Sequence, residues 1–419
     1  MNKLKESAQI MINNILAENM PEASVTAALK DHDFEGKNIY LIAIGKAAWT
    51  MAKAASDHLG EAIEKGIVIT KYDHSMGELP RLEIFEAGHP TPDEKTITAS
   101  QKALGLIADL NSDATVLFLI SGGGSALFEV PQAGITLNEL ATLNNDLLAS
   151  GADITEMNII RKRLSKVKAG RFAELCKPAQ VFAIVLSDVL GDRLDTIASG
   201  PAAPDASTST DAMTVVAKYN LKLSNIQKKY ISQETPKQLD NVKTTITGSV
   251  RSLCESAAKS ATELGFKPYV LTTTLNCEAS EAGRFLASIA VDTMARRNHF
   301  ERPCAIIAGG ETVVTLKGTG KGGRNQELAL AAATGISGLD NTLIFSLGSD
   351  GTDGPTDAAG GIVDGTTTTR LRELNYDVDK ILANNDSYHG LEVVDGLIIT
   401  GPTGTNVNDI TVILCEAVI

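Results

Sequence analysis

Residues 115–124 read TVLFLISGGG, an apolar, β-branched run that ends in a serine and three glycines. A continuously apolar run of this length predicts a strand that is buried on both faces, as in a parallel sheet. Glycine has no Cβ, so the turn after the strand can bring main-chain N–H groups close to a ligand. The stretch therefore predicts a buried strand followed by an anion-binding turn.

Similar runs recur along the whole chain, and segments with helical periodicity separate them. This alternation predicts an α/β protein whose parallel sheets are covered by helices on both faces. The other predicted strands lie at residues 39–45, 66–70, 181–188, 268–274, 304–311, 342–351 and 396–404.

The least apolar stretch runs from about residue 202 to 248 and predicts a domain boundary near residue 240. We therefore expect one domain at 1–240, which begins with a helix over residues 1–20, and a second at 241–419. A helical insertion is predicted at 212–231. The second domain should open with a helix that stops at Gly265.

The composition is that of a folded enzyme: 43% of the 419 residues are hydrophobic, 21% are charged, and the formal net charge is −13. This acidic balance opposes an extended nucleic-acid groove. No apolar run is long enough to span a bilayer and the N-terminus lacks a signal-peptide pattern, so we expect a cytoplasmic protein without a membrane partner. The five scattered cysteines argue against a zinc site or a disulfide framework. A homodimer is compatible with the sequence, which leaves the oligomeric state open.

In parallel sheets, ligands bind beyond the carboxyl ends of the strands. Lys46 follows the first strand at a helix start and favours an anion nearby. The turn that contains Ser121, Gly122, Gly123, Gly124 and Ser125 predicts a phosphate cradle. Neither G-x-G-x-x-G nor G-x-x-x-x-G-K-[ST] occurs in the chain.

A basic segment follows the cradle. Asn158 and Arg161 are its candidate ligands for a phosphorylated molecule. We expect the other basic residues to form the solvated face of a helix; they are Lys162, Arg163, Lys166 and Lys168.

Asp188 lies at the end of a strand, where a carboxylate can hold Mg²⁺ or accept a hydroxyl proton. Asp192 could do the same, although helix capping is an equally good interpretation of it. His89 is interpreted as a turn histidine.

In the second half, Arg324 follows a glycine-rich loop, and its planar guanidinium can bind a carboxylate or phosphate with two bonds. Packing alone does not explain that loop, so we expect it to face a ligand. Nucleotide binding is assigned to polar and glycine residues at the strand ends: Gly310, Glu311, Thr312, Asn325, Glu327, Asp353 and Asn406.

Together, the motifs SGGGSAL, LSDVLGD, IASGP, GGET, GKGGRNQE, SDGTDGPTDAAG and GPTGTNVND resemble the glycerate 2-kinase family with a C-terminal MOFRL domain. Members have often been labelled hydroxypyruvate reductases. The resemblance covers nearly the whole chain. It implies a Rossmann-like N-terminal domain, a C-terminal α/β domain, and ATP- and Mg²⁺-dependent phosphorylation of D-glycerate on its 2-hydroxyl to give 2-phosphoglycerate and ADP.

If the resemblance holds, Lys46 and Arg324 are expected to bracket the glycerate carboxylate and the γ-phosphate in an interdomain cleft. Asp188 is the first candidate for the metal ligand or proton acceptor. Asp192 and Asp353 are the alternative candidates. Replacing Arg324 by Ala should cut turnover by orders of magnitude and leave the fold intact.

Two alternatives remain open. An NAD(P)H-dependent hydroxypyruvate reductase would oxidise the nicotinamide without ATP, and the missing dinucleotide fingerprint counts against it. A catalytically silent sensor of sugar acids or nucleotides would bind ligands without forming a product.

Overall fold

The computed structural model describes residues 3–34, 36–297 and 299–417. The chain divides into two compact units. The first unit comprises Pro21–Thr247, and the second comprises the described residues of Met1–Met20 and Gly248–Ile419.

The strands of the described residues form two six-stranded sheets, one in each unit. In chain order the strands are β1 (Asn38–Ile44), β2 (Ile63–Lys71), β3 (Leu82–Ala87), β4 (Ala114–Ile120), β5 (Gln180–Leu186), β6 (Val242–Gly248), β7 (Lys267–Leu275), β8 (Cys304–Gly310), β9 (Thr342–Gly348), β10 (Gly360–Asp364), β11 (Leu397–Ile398) and β12 (Asp409–Cys415).

Helices connect most of these strands. They are α1 (Lys3–Glu18), α2 (Pro21–Lys30), α3 (Ala48–Leu59), α4 (Glu94–Ile107), α5 (Gly124–Leu127), α6 (Leu137–Ala149), α7 (Ile154–Arg163), α8 (Arg171–Leu175), α9 (Ser209–Lys218), α10 (Asn225–Ile231), α11 (Val250–Glu263), α12 (Ala279–Met294), α13 (Arg324–Gly335), α14 (Thr367–Glu373), α15 (Val378–Ala383) and α16 (Ser387–Glu392). In the ranges that the structure describes, no helix is both long and apolar enough to cross a membrane.

The first sheet has the strand order β3-β2-β1-β4-β5-β6. Strand β1 pairs in parallel with both β2 and β4, so the strand order reverses between β1 and β4. Side chains of β1 alternate between two cores: Ile42 and Ile44 belong to one, and Leu41 and Ala43 to the other. The predicted parallel sheet buried on both faces is confirmed here.

The second sheet has the order β11-β10-β9-β12-β8-β7 and is mixed. Strands β7 and β8 are parallel, whereas β12 runs antiparallel to both β8 and β9, and β10 runs antiparallel to β9. The α/β class is confirmed, but the prediction of parallel strands throughout is wrong in this sheet. A continuous apolar run reports burial on both faces and carries no information on strand direction.

Helix α1 belongs to the second unit, whereas the sequence prediction grouped residues 1–20 with the first domain. The reason is a set of contacts with α11: Asn14 Nδ2 donates to Ser260 Oγ (3.0 Å), and Asn19 Nδ2 donates to Ser256 Oγ (3.0 Å). Beside them, Ser252 Oγ donates to Asn19 Oδ1 (2.7 Å). Such a long-range association has no local signal in the sequence.

The second crossing of the chain between the units lies at Thr247 and Gly248, inside the polar stretch where we predicted a boundary near residue 240. The predicted helical insertion at 212–231 is confirmed and consists of two helices, α9 and α10. Helix α11 ends at Glu263 and is followed by Gly265 with φ +84°, in the left-handed conformation that favours glycine at a helix stop.

Candidate functional site

The loop after β4 is hydrogen-bonded to the turn after β1, at the point where the strand order of the first sheet reverses. Lys46 N donates to Gly122 O (2.9 Å), and Ala47 N donates to Ser121 Oγ (3.1 Å). Gly45 has φ +114°, and a Cβ built on it would lie 2.2 Å from Ser121 Oγ, so only glycine fits there. In open α/β sheets this reversal point is where ligands bind.

Three side chains converge on the glycines of this loop, residues 121–125, which we call the phosphate loop after the role predicted for it. A Cβ built on Gly122 would lie 2.3 Å from Asp188 Oδ2. A Cβ built on Gly123 would lie 2.9 Å from His89 Nε2 and 3.3 Å from Lys46 Cγ. The space beside these glycines is therefore already used by a carboxylate, an imidazole and a lysine stem. Lys46 and Asp188, predicted from the sequence, meet here.

His89 was interpreted as a turn residue, and the structure places it beside Lys46 and Gly123. Burial lowers the pKa of His89, and the charges of Lys46, Lys71 and His74 lower it further. These surroundings therefore favour the neutral form of the imidazole. The same cationic surroundings suit a phosphate group. His89 could have been predicted from its position just after the carboxyl end of β3, but β3 was not predicted as a strand.

The C-terminal end of the phosphate loop belongs to a hydroxyl network. The Ser125 and Ser199 hydroxyls are 2.8 Å apart, Ser199 Oγ donates to Asn158 Oδ1 (3.3 Å), and Arg161 Nη2 donates to Ser125 Oγ (3.3 Å). The three predicted residues Ser125, Asn158 and Arg161 are thus brought together. Ser199, which we did not assign, completes the set.

Ser199 lies in a strained segment. It has φ +61° and its neighbour Ala198 has φ +50°, a conformation that costs free energy in residues other than glycine. Such strain persists where the surrounding contacts hold it, and it concentrates at functional sites. The motif IASGP was visible in the sequence, but its backbone geometry was not.

The expectation of a solvated basic helix face is wrong for three of the four residues assigned to it. Lys162, Arg163 and Lys168 are all buried. Lys168 Nζ lies 2.9 Å from Glu129 Oε2 and donates to the carbonyl oxygens of Ser125 (2.6 Å) and Phe128 (3.1 Å). Burial lowers the pKa of Lys168, and Glu129 opposes that shift. Lys168 therefore stabilises the C-terminal end of the phosphate loop through its hydrogen bond to Ser125.

The other two buried cations converge on a second carboxylate. Lys162 Nζ lies 3.2 Å from Asp205 Oδ1, and Arg163 Nη1 lies 3.8 Å from Asp205 Oδ2. Residues far apart in the chain supply the charges that allow these cations to be buried, which a helix-by-helix interpretation of the sequence does not detect.

The predicted metal ligands differ in their position. Asp188 lies against Gly122, whereas Asp192 is in a turn with φ +53° that follows it. Within the described ranges, no group of three or more His, Cys, Asp and Glu side chains could hold a metal ion. Mg²⁺ at a phosphoryl-transfer site needs only one or two carboxylates, because water and substrate phosphates supply its other ligands. The carboxylate of Asp188 fits that chemistry.

In the second unit, Arg324 binds two carboxylates at the ends of neighbouring strands. Its Nε and Nη2 donate to Asp409 Oδ2 (2.6 Å) and Oδ1 (3.0 Å), and its Nη1 donates to Glu311 Oε1 (2.9 Å). Burial would lower the pKa of Arg324, but the hydrogen bonds and charge of Asp409 and the charge of Glu311 raise it above its ordinary value. Glu311 and Arg324, which were predicted for different roles, are in contact, and Asp409 was not predicted.

Asp353 caps the first turn of α13. It accepts hydrogen bonds from the main-chain N–H groups of Asn325 (3.2 Å) and Gln326 (2.9 Å). Burial raises the pKa of Asp353 to about 7. The start of the helix that follows the glycine-rich loop, where we expected a ligand, is therefore satisfied by a carboxylate of the protein itself.

The remaining predicted nucleotide ligands have contacts inside the second unit. Glu327 is buried and accepts from Asn385 Nδ2 (3.2 Å), and burial raises its pKa. A Cβ on Gly310 would lie 2.1 Å from Leu275 O, so close strand packing explains this glycine. Thr312 is buried, and Asn406 Oδ1 accepts from Asn408 N (3.4 Å) within its own turn.

The glycine-rich loop before Arg324 packs closely along residues 384–387. A Cβ on Gly318 would lie 2.2 Å from Asn384 O, and one on Gly320 would lie 2.4 Å from Asp386 Cβ. Gly320 N donates to Asn384 O (2.9 Å), and Lys321 N donates to Asp386 Oδ1 (2.9 Å). The expectation that packing does not explain these glycines is wrong.

Two family models match the chain. A domain of unknown function, DUF4147, matches residues 7–232, and the MOFRL family matches residues 304–409. The chain is 52% identical to the D-glycerate 2-kinase of Thermotoga maritima over 409 residues, which cover 98% of each protein. The chain belongs to the glycerate 2-kinase family.

Other glycerate 2-kinase family members agree with this assignment. The glycerate 2-kinase of Pyrococcus horikoshii is 46% identical over 91% of this chain and 88% of its own length. The crystal structure of the Thermotoga maritima glycerate kinase superimposes with a TM-score of 0.96 at 51% identity, over 99% of this chain and 100% of that one. A relative from Agrobacterium vitis, 38% identical over 89% of this chain and 86% of its own, carries the name putative hydroxypyruvate reductase.

Proposed function

We propose that this protein is a glycerate 2-kinase that transfers the γ-phosphoryl group of ATP to the 2-hydroxyl of D-glycerate, with Mg²⁺, to give 2-phosphoglycerate and ADP. The observation that carries the proposal is the convergence of Lys46, His89 and Asp188 on the phosphate loop, where the strand order of the first sheet reverses. The names of the Thermotoga and Pyrococcus relatives support the acceptor and the reaction class.

Phosphoryl transfer passes through a loose transition state, so the protein mainly positions the reactants and neutralises charge. Lys46 is half-buried beside Gly123 and supplies a positive charge. Because Gly122 and Gly123 have no Cβ, the side chains of Asp188, His89 and Lys46 can lie close to the main chain of the phosphate loop. Arg161, through Ser125, adds a second cation at the other end of the loop.

The hydroxyl of the acceptor must lose its proton during transfer. Two side chains beside the phosphate loop can accept this proton. Asp188 is the first candidate, and it is also the residue that would hold Mg²⁺, which when bound would neutralise charge on the transferring phosphoryl group. His89 is the second, because a neutral imidazole can accept a proton. Acceptance by His89 would make kcat fall as the pH drops below its lowered pKa, and His89→Gln would remove that fall.

Arg324 is proposed to act on the same phosphoryl or carboxylate group as Lys46, and this stays a prediction. In the described residues its guanidinium binds Asp409 and Glu311. The proposal therefore requires Arg324 to share its donors with the substrate, since five N–H groups are available on a guanidinium.

The experiment that tests the function is incubation of the pure protein with ATP, Mg²⁺ and D-glycerate, with 2- and 3-phosphoglycerate resolved by ³¹P NMR. We expect 2-phosphoglycerate, and we expect Lys46→Ala to reduce its formation about 10²- to 10³-fold. Lys53→Ala is the matched control, because Lys53 is a half-buried lysine of α3 that pairs with Asp57. Equal activity of both variants would remove Lys46 from the mechanism.

The name of the Agrobacterium vitis relative favours one other candidate, a hydroxypyruvate reductase. It predicts NADH or NADPH oxidation with hydroxypyruvate in the absence of ATP. The turn after β1 has Gly45-Lys46-Ala47 where a dinucleotide fingerprint would have further glycines, which counts against this activity.

A further inference from the structure

A cavity of about 320 Å³ lies in the first unit between α6, α7 and residues 90–92. Its wall is mainly apolar and includes Leu140, Leu143, Met157 and Ile160. Its volume is at the lower end of the range of about 300–1,000 Å³ that is typical of small-molecule pockets. Of its lining residues, Arg161 has a role assigned above, and the apolar space itself has none.

The cavity adjoins the phosphate loop at two places. Arg161 is part of its wall, and Arg161 Nη2 donates to Ser125 Oγ at the end of the loop (3.3 Å). Pro90 is also part of the wall and directly follows His89, whose Nε2 approaches Gly123. A molecule with phosphates on the loop can therefore extend its other end into this cavity.

Only one part of the two proposed substrates suits an apolar wall. D-glycerate carries a polar group on every carbon and a triphosphate is charged throughout, so the apolar side chains of this wall would not replace the hydration of either. A purine ring has two apolar faces and a polar edge. The amides of Asn144 and Asn145, in the same wall, offer donors and acceptors to such an edge.

We propose that this cavity binds the adenine base of the nucleotide, an inference that rests on the proposed function. The second unit supports it independently. There, Asp353 already occupies the first turn of α13, and Glu327 is held by Asn385. A nucleotide bound by those residues would have to displace hydrogen bonds that the protein makes to itself, whereas the cavity beside Arg161 requires no such exchange.

Ala141→Phe tests the proposal, because Ala141 lines the cavity from α6 and a phenyl ring there would fill it. We expect the KM for ATP to rise at least tenfold, while the KM for D-glycerate stays within twofold. Thr142→Phe is the matched control: it adds the same ring at the next residue of α6, which is exposed and does not line the cavity.

Direct binding separates this proposal from the proposed function. In calorimetric titrations, ADP should bind at least tenfold more weakly to Ala141→Phe than to the wild type or Thr142→Phe. Inorganic tripolyphosphate, which lacks the base, should bind all three equally. If the wild type binds ADP with this dependence on Ala141 but does not phosphorylate D-glycerate, the cavity proposal stands and the acceptor is wrong.

Two results would overturn the proposal: unchanged ADP affinity in Ala141→Phe, or a rise in the KM for D-glycerate with an unchanged KM for ATP. Leu148→Ser is a second variant, for the case that Ala141→Phe does not fold. Leu148 lines the cavity but is 61% exposed, so its replacement should not destabilise the fold. We expect it to keep the wild-type melting temperature and to weaken ADP binding about fivefold, without an effect on tripolyphosphate.

Discussion

Two loops of this protein are rich in glycine: the phosphate loop of the first unit and residues 318–323 of the second. The atoms that lie against their glycines differ. Beside Gly122, the nearest neighbour of a Cβ would be the Asp188 carboxylate, the end of a side chain. Beside Gly318, it would be the main chain of Asn384. Glycine permits close approach in both loops. In the second loop, the approaching group is mainly main chain at Gly318, whereas at Gly323 it is the Asp353 carboxylate that caps α13.

We expect the largest effect at Arg324, which is proposed to act in phosphoryl transfer and also pairs with a buried carboxylate. Arg324→Ala removes the partner of Asp409, whose side chain is 8% exposed. An unpaired buried carboxylate costs about 3–5 kcal/mol of unfolding free energy, so the earlier expectation of an intact fold is revised. We expect loss of turnover together with a lower midpoint of guanidinium unfolding.

The double variant Arg324→Ala/Asp409→Ala separates the two losses. Without the buried carboxylate, most of the stability should return while turnover stays low. Recovery of turnover in the double variant would contradict any role of Arg324 in transfer.

Gly122→Ala should act on catalysis with little effect on stability. The new methyl group would displace Asp188, which can rotate away, so kcat should fall about 10²- to 10³-fold and the unfolding free energy should change by less than about 1 kcal/mol. Steady-state kinetics and chemical denaturation measure the two quantities. Gly105→Ala is the control, because a methyl group on Gly105 meets no atom within 4 Å.

Gly320→Ala should show the opposite pattern. Its methyl group would meet the main chain near Asn384 and Asp386, which cannot rotate away, so we expect a loss of about 2 kcal/mol in unfolding free energy. The kcat of the folded variant should remain within about threefold of the wild type. If kcat fell as far as in Gly122→Ala, the distinction between the two loops would be lost.

The smallest effect concerns pH. Because burial raises the pKa of Asp353 to about 7, the folded protein holds a proton between pH 4 and 7 that the unfolded chain has released. The contribution of Asp353 to stability therefore falls as the pH rises, and the part of this fall between pH 6 and pH 8, where the folded carboxyl titrates, is about 1 kcal/mol. Asp353→Asn should flatten this part of the stability profile in thermal unfolding. An identical slope in the variant would show that another group titrates.

Much of the first site was predictable from the sequence because it is local to strand ends. Lys46, Ser121–Ser125 and Asp188 each follow a strand with a strong apolar signal, and adjacent parallel strands bring their carboxyl ends together. His89 was missed because β3 is a partly exposed edge strand whose apolar residues are interrupted by Glu83 and Glu86. Such a strand lacks the continuous run on which the other predictions depended.

In the second unit, the local sequence was a weaker guide. Strand β12 is fully buried, yet neither its position nor its antiparallel direction was predicted, and Asp409 at its start is the residue that holds Arg324. The partner of a buried charge is chosen by the pairing of distant strands, which no motif reports.

The amino-acid sequence by itself determined eight of the twelve described strands, the α/β class and the family, because continuous apolar runs and long motifs are local properties. Only the tertiary structure decided which polar groups meet. It placed Asp188 on Gly122 and Asp353 on the first turn of α13, and it buried Lys168 beneath the phosphate loop. The physical reason is that burial, and with it the pairing of charges, depends on the elements that pack together from distant parts of the chain.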